Sequence, residues 1–408
     1  MANFFHEPIQ NIQDIRRLLS GYEGLDNFLK EIVQNAEDSQ HSDVSEANTL
    51  LALHYFPKDK RLAILHPLLS GPCLCIVNNG KFNDVDRRGI FTIGSGTKGD
   101  DPSKIGRFGL GLKSIFEYCD AFFLVSSNFI NGEQFWFLNP YEGWKHDDWT
   151  EKSKQDLLKI TLIEKIENEI IAKSQLDKYL AFFIPLRKKE HCETDGGNIV
   201  PIIENYPGDQ IGFVHELVKK FELLCNHVVL LRSINKIQLC DHSSNDHIRE
   251  IIIKGERICR PNDRTENHPI NGGIFYKGNE ICKYQGISGR LNYECFENLK
   301  KEETWPKTIN IKDGRIDIPE KGEPHFACVV VANSNEINPL LTIEWNVFLP
   351  IGTQLDTQKQ LIECLNNDIK IILHGSFFPD ETRTQIYGLN TGFNIDSYSS
   401  SSGSLQVI

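Results

Sequence analysis

The chain has 408 residues, of which 40% are hydrophobic and 25% are charged. These ordinary globular values exclude a disordered or fibrous protein, and the length suffices for about two or three domains. The 44 Lys and Arg residues against 56 Asp and Glu residues leave a net charge of −12. Because non-specific nucleic-acid affinity comes from cations on phosphates, we do not expect nucleic acid as a partner.

The cysteines favour a reducing compartment. There are 11 of them, an odd number, and no pair has the CxxC spacing typical of a structural zinc site. No apolar run approaches the about 18 residues of a membrane helix. The N-terminal residues also lack the basic-then-apolar order of a signal peptide. We therefore expect a cytoplasmic protein with reduced thiols and no membrane partner.

In the first half of the chain, residues 9–40 are predicted to be helical, with one apolar stripe at 3.6-residue spacing formed by Leu25, Phe28, Leu29, Ile32, Val33 and Ala36. Residues 48–65 hold two apolar runs joined by PKDKR and predict a hairpin. Residues 72–78 predict a buried strand that ends in the turn Asn78-Asn79-Gly80. A glycine-dense stretch, 94–111, precedes the helix-like run LKSIFEYC. Three more strands are predicted, at AFFLVSS, QFWFL and AFFIPLR.

The second half is rich in short strand-like runs. A helix over 213–225 precedes strands predicted at VVLLR, KIQL, IREIIIKG, GGIFYKG, EICKYQ, FACVVVA, TIEWNVFLP and IKIILHG. We therefore predict an α+β protein with a first domain over 1–200, a strand-rich domain over 205–390 and a flexible serine-rich tail over 396–408.

Two places carry polar groups that could do chemistry. Glu31, Asn35 and Asp38 are spaced i, i+4, i+7, so they share one face of the predicted helix, away from the apolar stripe. A solvated polar face would give the same pattern. Asn78 lies at the carboxyl end of a predicted buried strand, where a polar side chain can read a ligand. A tight turn alone would also explain Asn78-Asn79-Gly80.

The glycine-dense stretch predicts a phosphate-binding loop. Glycines let backbone N–H groups converge on an anion, and Lys98, Arg107 and Lys113 supply cations nearby. A flexible surface loop is the alternative. Gly94-x-Gly96-x-x-Gly99 is followed by Asp-Asp-Pro-Ser and not by a helix, which excludes a dinucleotide fingerprint. Gly106-x-x-x-x-Gly111 is followed by Leu112 where a P-loop needs Lys.

In this order, the three features resemble the GHKL ATPase superfamily. A helix with Glu-x-x-x-Asn-x-x-Asp is matched by Glu31, Asn35 and Asp38, and a strand end with Asp-x-Gly by Asn78-Asn79-Gly80. The phrases EIVQNAED, GPCLCIVNNGKF and GSGTKGDDPSKIGRFGLGLKS are similar to the sacsin-type branch. The resemblance implies a GHKL-type (Bergerat) two-layer α/β sandwich followed by a strand-rich, transducer-like domain.

The resemblance also implies ATP and Mg²⁺ as cofactors. Glu31 would be the general base for the attacking water, Asn35 would bind Mg²⁺, and Asp38 would support the nucleotide pocket. Asn78, with Gly80, would meet the adenine edge. A lid over 94–113 would close on ATP through Ser95, Thr97, Lys98, Gly106, Arg107, Phe108, Gly109, Leu110, Gly111 and Lys113.

The chain departs from the superfamily pattern at the adenine site. Asn78 stands where relatives have Asp, which removes the charge-assisted part of the bond to adenine. AFFIPLR has no hydroxyl where many relatives place a Thr. Arg383, in the DETR phrase, resembles the basic residue that a second domain brings to the γ-phosphate in related ATPases. A solvent-exposed loop arginine is its alternative.

The function implied by the resemblance is slow Mg-dependent ATP hydrolysis that drives lid closure in a chaperone-like switch. Its implied partners are a second copy of the chain and a protein client or larger complex. Three alternatives stay open: a non-hydrolysing or partner-activated nucleotide-binding subunit, for example of a prokaryotic defence system; a nucleic-acid-linked ATPase like gyrase or MutL; and a histidine kinase. Residues 1–24 are too short for the phospho-acceptor helix of the last.

Overall fold

A computed structural model describes residues 12–19, 24–39, 50–57, 71–79, 111–126, 135–138, 180–192, 201–226, 228–244, 248–257, 268–290, 308–311, 314–317, 325–333, 340–347, 349–350, 360–361 and 368–374. The chain divides into two compact units. The first includes the described residues up to Cys225 and Ser233–Ile252, and the second includes Asn226–Arg232 and the residues from Ile253 onward. This division differs from the one predicted between residues 200 and 205, because the next helix packs with the first unit.

The first unit contains the helices α1 (Ile12–Leu19), α2 (Leu25–Ser39), α3 (Lys189–Cys192) and α4 (Phe213–Leu223), and a 3₁₀ helix at Gly111–Glu117. The prediction of one helix over 9–40 is wrong, because Gly24 breaks it with a φ of +98°, a backbone conformation that favours glycine. The predicted apolar stripe of α2 is confirmed as buried. α2 packs against the 3₁₀ helix and against α4.

The strands of the first unit are β1 (Leu50–Phe56), β2 (Cys73–Asn78), β3 (Phe122–Ser126), β4 (Phe135–Leu138), β5 (Leu180–Pro185), β6 (Lys236–Asp241) and the start of β7 (Ile248–Gly255). Their order is β4-β3-β5-β2-β1-β6-β7. Neighbours are antiparallel except β1 and β6, which are parallel. β2 and β5 are buried over their whole length, as continuous apolar runs predict.

Two secondary-structure predictions are wrong, the hairpin over 48–65 and the strand at VVLLR. The predicted hairpin over 48–65 does not form with β1, because β2 occupies one edge of β1 and β6 occupies the other. The run VVLLR was predicted as a strand, but Val228–Leu230 forms a buried 3₁₀ turn. A short apolar run bounded by polar residues does not distinguish these two states.

The second unit is rich in strands. It contains the end of β7 and β8 (His268–Tyr276), β9 (Asn279–Arg290), β10 (Thr308–Ile311), β11 (Gly314–Asp317), β12 (His325–Asn333), β13 (Leu340–Val347), β14 (Leu349–Pro350), β15 (Gln360–Leu361) and β16 (Asp368–His374). The order β8-β9-β12-β16-β13 is antiparallel except between β16 and β13. β14 and β15 pair with β13, and β10 with β11. The described elements are those of an α+β protein, as predicted. No helix among the described residues has the length and apolar character to cross a membrane.

A buried arginine holds three segments of the first unit together. Arg187 follows β5 and is 1% exposed. Its Nε donates to Asp120 Oδ2 at 2.9 Å, and its two Nη groups donate to main-chain carbonyls at 2.7–3.0 Å, those of Phe116, Glu117, Cys119 and Asn205. Asp120 Oδ1 accepts from the amide of Ile202 at 2.9 Å. Every guanidinium N–H therefore has an acceptor. The positive charge lies at the carboxyl end of the 3₁₀ helix, where a cation is favourable.

Replacing Asp120 by Ala should lower the free energy of unfolding by about 3–5 kcal/mol, because removal of one partner leaves the buried Arg187 charge uncompensated. Urea unfolding followed by circular dichroism measures this. The control is Asp26→Ala, whose partner Lys220 and own side chain are 27% and 46% exposed. That variant should lose less than about 1 kcal/mol. Equal losses in the two variants would contradict this account of Arg187.

Six buried cysteines are free thiols, as the sequence predicts: Cys73, Cys75, Cys119, Cys225, Cys240 and Cys282. Burial raises the pKa of Cys73, Cys75 and Cys119. A raised pKa leaves little thiolate near pH 8, so these three thiols should react slowly with iodoacetamide in the folded protein and rapidly in urea. Mass spectrometry of the labelled peptides checks each position. Equal labelling rates in the two conditions would show that these thiols are accessible.

Candidate functional site

Helix α2 carries the predicted acidic motif. Glu31 is only 7% exposed and Asn35 is half-buried, so a solvated polar face does not describe Glu31. A carboxylate is costly to remove from water, so a nearly buried Glu31 is not explained by solvation of a surface helix. The backbone of Asp38 belongs to α2, while its side chain lies outside the described part. The helix therefore presents polar groups inside the protein and not merely to solvent.

The end of β2 lies against the end of α2. Asn78 and Asn79 are each 5% exposed. Asn79 Oδ1 accepts from the amide of Leu50 at 3.0 Å, which ties the turn to the start of β1. Asn78 Oδ1 lies 3.3 Å from Ser39 Oγ, at the last residue of α2. The structure thus brings the two predicted places together, and Asn78 does more than form a turn.

Asn35 has a buried hydrogen-bond donor that suits an oxygen of an anionic ligand. Its Nδ2 is buried, and no described atom accepts a hydrogen bond from it. Buried amides normally have partners, so this one leaves room for an acceptor that a ligand can supply. Amide oxygens are also ligands for Mg²⁺, which takes only one or two protein groups and keeps waters and phosphate oxygens. The described residues hold no cluster of three or more metal-ligating side chains, which such a site does not need. The orphaned NH₂ of Asn35 fits an oxygen of a phosphate, and its amide oxygen is of the kind that Mg²⁺ accepts.

Much of the predicted lid lies outside the described residues. Gly111 and Lys113 belong to the backbone of the 3₁₀ helix, so the helix predicted after the glycines is confirmed, in a tighter form. The remaining predicted residues lie outside: Gly80, Ser95, Thr97, Lys98, Gly106, Arg107, Phe108, Gly109, Leu110 and Arg383. Their roles stay predictions.

Glu37 is a structural contact of α2 that the sequence analysis missed. Its side chain is buried, and its carboxylate accepts from the amide of Ser233 at 2.9 and 3.2 Å and from that of Ile234 at 3.0 Å. A signal was present, because Glu37 lies four residues after Val33 and therefore on the buried stripe. A carboxylate on an apolar face indicates a buried polar partner.

The hydroxyl beside Asn78 comes from an unexpected element. The β5 residue paired with Asn78 is Leu180, so β5 offers an apolar side chain at that register. Ser39 supplies the hydroxyl instead, from the end of α2. The sequence analysis predicted no hydroxyl at this place, because AFFIPLR has none and Ser39 lies in a different element.

A family model described as the Sacsin domain matches residues 8–250, more than half of the chain. The chain belongs to the Sacsin domain family. Among curated proteins, sacsin from Homo sapiens is 33% identical over 114 residues, which cover 28% of this chain and 2% of sacsin. The sacsin-type resemblance predicted from the motifs is thus confirmed for the domain. The Sacsin-domain match includes α1, α2 and β1–β6, and therefore both halves of the candidate site.

The Glu37 contact predicts a local effect of Glu37→Gln. Glutamine is neutral and offers one acceptor oxygen, so the bonds from Ser233 and Ile234 should weaken and unfolding should become easier by about 1–3 kcal/mol. Hydrogen exchange at these two amides should accelerate. Glu204→Gln, at an exposed position before α4, should change neither quantity. Unchanged exchange in Glu37→Gln would contradict the assignment.

Proposed function

We propose that this Sacsin-domain chain binds Mg·ATP where the ends of α2 and β2 meet and hydrolyses it slowly, as a chaperone-related switch. The observation that carries the proposal is the 3.3 Å approach of Ser39 Oγ to Asn78 Oδ1. It joins the helix that holds Glu31 and Asn35 to the strand end that, by resemblance to GHKL ATPases, would read the base.

The arrangement of elements in the first unit supports a GHKL-type sandwich. α1 and α2 pack against the 3₁₀ helix, and α2 packs against α4. α4 in turn contacts β6 of the mainly antiparallel sheet. In such a helical layer on a sheet, the end of α2 lies beside the end of β2, and we place the nucleotide site there.

In this proposal Glu31 orients the attacking water and takes its proton. A base inside the protein is protected from bulk solvent, and its burial suits it to act on one ordered water. Asn35 would hold Mg²⁺ through its amide oxygen, and its buried NH₂ would donate to an acceptor of the ligand. When bound, Mg²⁺ supplies charge neutralisation at the phosphates.

The remaining predicted roles belong to the same proposal. Asp38 and Gly80 would line the pocket, and the glycine-rich lid at 94–113 would close over the phosphates. Arg383 would act at the γ-phosphate, as the resemblance implies. A second copy of the chain and a protein client are the proposed partners of the switch.

Glu31→Ala should reduce steady-state phosphate release with Mg·ATP by about 10²–10⁴-fold, the usual contribution of a general base. ATP should still raise the melting temperature of this variant, because Glu31 acts on water and not on the nucleotide. Glu216→Ala, in the exposed first turn of α4, should retain wild-type phosphate release. Phosphate release that survives unchanged in Glu31→Ala would remove Glu31 from the role of base.

Two other outcomes for the wild type separate the alternatives. Thermal stabilisation by ATP without phosphate release would favour a partner-activated nucleotide-binding subunit. If ATP did not stabilise the wild type and no phosphate were released, the nucleotide site would be refuted.

A further inference from the structure

Two histidine rings meet where β6 ends beside β1. His54, in β1, is 4% exposed, and its Nδ1 lies 3.1 Å from Nε2 of His242. The two rings are inclined by only 13°, and their centroids are 5.4 Å apart. The extra length of the centroid distance is that of the rings themselves, so the two nitrogens lie close to the line between the centroids. The contact is therefore a hydrogen bond in the planes of both rings, from the N–H of one to the lone pair of the other.

Phe56 and the main chain hold the second ring in place. The ring of His242 lies nearly parallel to that of Phe56, with centroids 4.1 Å apart and planes inclined by 12°. The amide of His242 donates to the carbonyl of Tyr55 at 3.0 Å, which extends the parallel pairing of β6 with β1 by one residue. The contact between the two histidines thus lies at the carboxyl end of this strand pair.

The titratable groups that face the pair from the neighbouring strands β2 and β6 are buried thiols. They lie in register with His54 or Phe56 of β1: Cys73, Cys75 and Cys240. The carboxylate next to His242 in the sequence is that of Asp241, which accepts from the amide and the hydroxyl of Ser243 at 2.9 and 2.5 Å. On β7, Glu250 forms an ion pair with Lys236 of β6. Each of these two carboxylates therefore already has a donor.

The facing nitrogens can share only one proton. When both rings are neutral, one ring donates and the other accepts. One added proton preserves the bond, because the second ring still offers a lone pair. If both rings are cationic, both facing nitrogens carry a hydrogen, and two donors oppose each other at the 3.1 Å contact. This conflict arises between the facing nitrogens themselves, so it does not depend on what the outer nitrogens bind.

We propose that the His54–His242 pair makes the pairing of β6 with β1 sensitive to acid. Below about pH 6.5 the unfolded chain binds a proton on both rings, whereas the folded pair keeps its bond only while at most one ring is cationic. The unfolded state then binds more protons than the folded state. The contribution of the pair to stability is therefore present above about pH 6.5 and is lost as the pH falls below it. The contact that opens first is the carboxyl end of β6.

The test is a double-mutant cycle, which isolates the interaction of the two side chains from their other contacts. Urea unfolding is measured at pH 8 and at pH 5 for the wild type, His54→Ala, His242→Ala and the double variant. At pH 8 the two substitutions should be coupled by a factor of about five in the unfolding equilibrium constant, the effect of about one hydrogen bond. At pH 5 this coupling should disappear or change sign. The control cycle pairs His54→Ala with His215→Ala, at an exposed position of α4, and should show no coupling at either pH.

Two results of the cycle would overturn the inference: coupling of equal size at the two pH values, and absence of coupling at pH 8. If an alanine variant does not fold, nuclear magnetic resonance of the wild type with ¹⁵N-labelled histidine decides. The ring signals at pH 5 should show at most one positive charge on the pair while β6 is paired with β1. Two cationic rings in a folded protein whose β6 is still paired with β1 would contradict the proposal.

Discussion

The buried guanidinium of Arg187 is the contact from which the geometry of the candidate site follows. It fixes the carboxyl end of the 3₁₀ helix by binding the carbonyl of Glu117. The Glu117 side chain in turn accepts from the amide of Gly24 at 2.7 Å, at the turn where α2 begins. At its other end, α2 reaches Asn78 through Ser39. One series of contacts therefore leads from an interior ion pair to the edge of the sheet.

The apolar and polar contacts of α2 contribute differently. The stripe that includes Phe28 and Ile32 is buried and supplies most of the stabilisation, but apolar packing alone tolerates small shifts along the helix axis. Carboxylates that accept hydrogen bonds from backbone amides do not tolerate such shifts, because each lost hydrogen bond leaves a buried polar group unsatisfied. Glu117 holds the start of α2, and Glu37 holds its last turn to Ser233. Glu31 and Asn35 thus lie on a helix fixed at both ends, as a precise site requires.

The sequence predicts the elements whose signals are local. The apolar stripe of α2 and the continuous apolar run of β2 predict that these residues are buried, and the burial of both is confirmed. The neighbours of β1 are not a local property: its parallel partner β6 lies far along the chain, and only tertiary packing selects it over residues 61–65. The break in the predicted first helix depends on the φ angle of Gly24, and the spacing of apolar residues does not predict that angle.

The candidate site shows the same division at the level of single side chains. A motif identifies Glu31, Asn35 and Asn78 because their spacing or strand position is visible in the sequence. The orientation of an amide is not visible, since it depends on which atom a neighbour from another element presents. The amide of Asn78 offers a donor on one side and an acceptor on the other, and the hydroxyl of Ser39, from the end of α2, lies beside its oxygen. This contact between a helix end and a strand end depends on the tertiary fold, so neither residue's position in the sequence shows it.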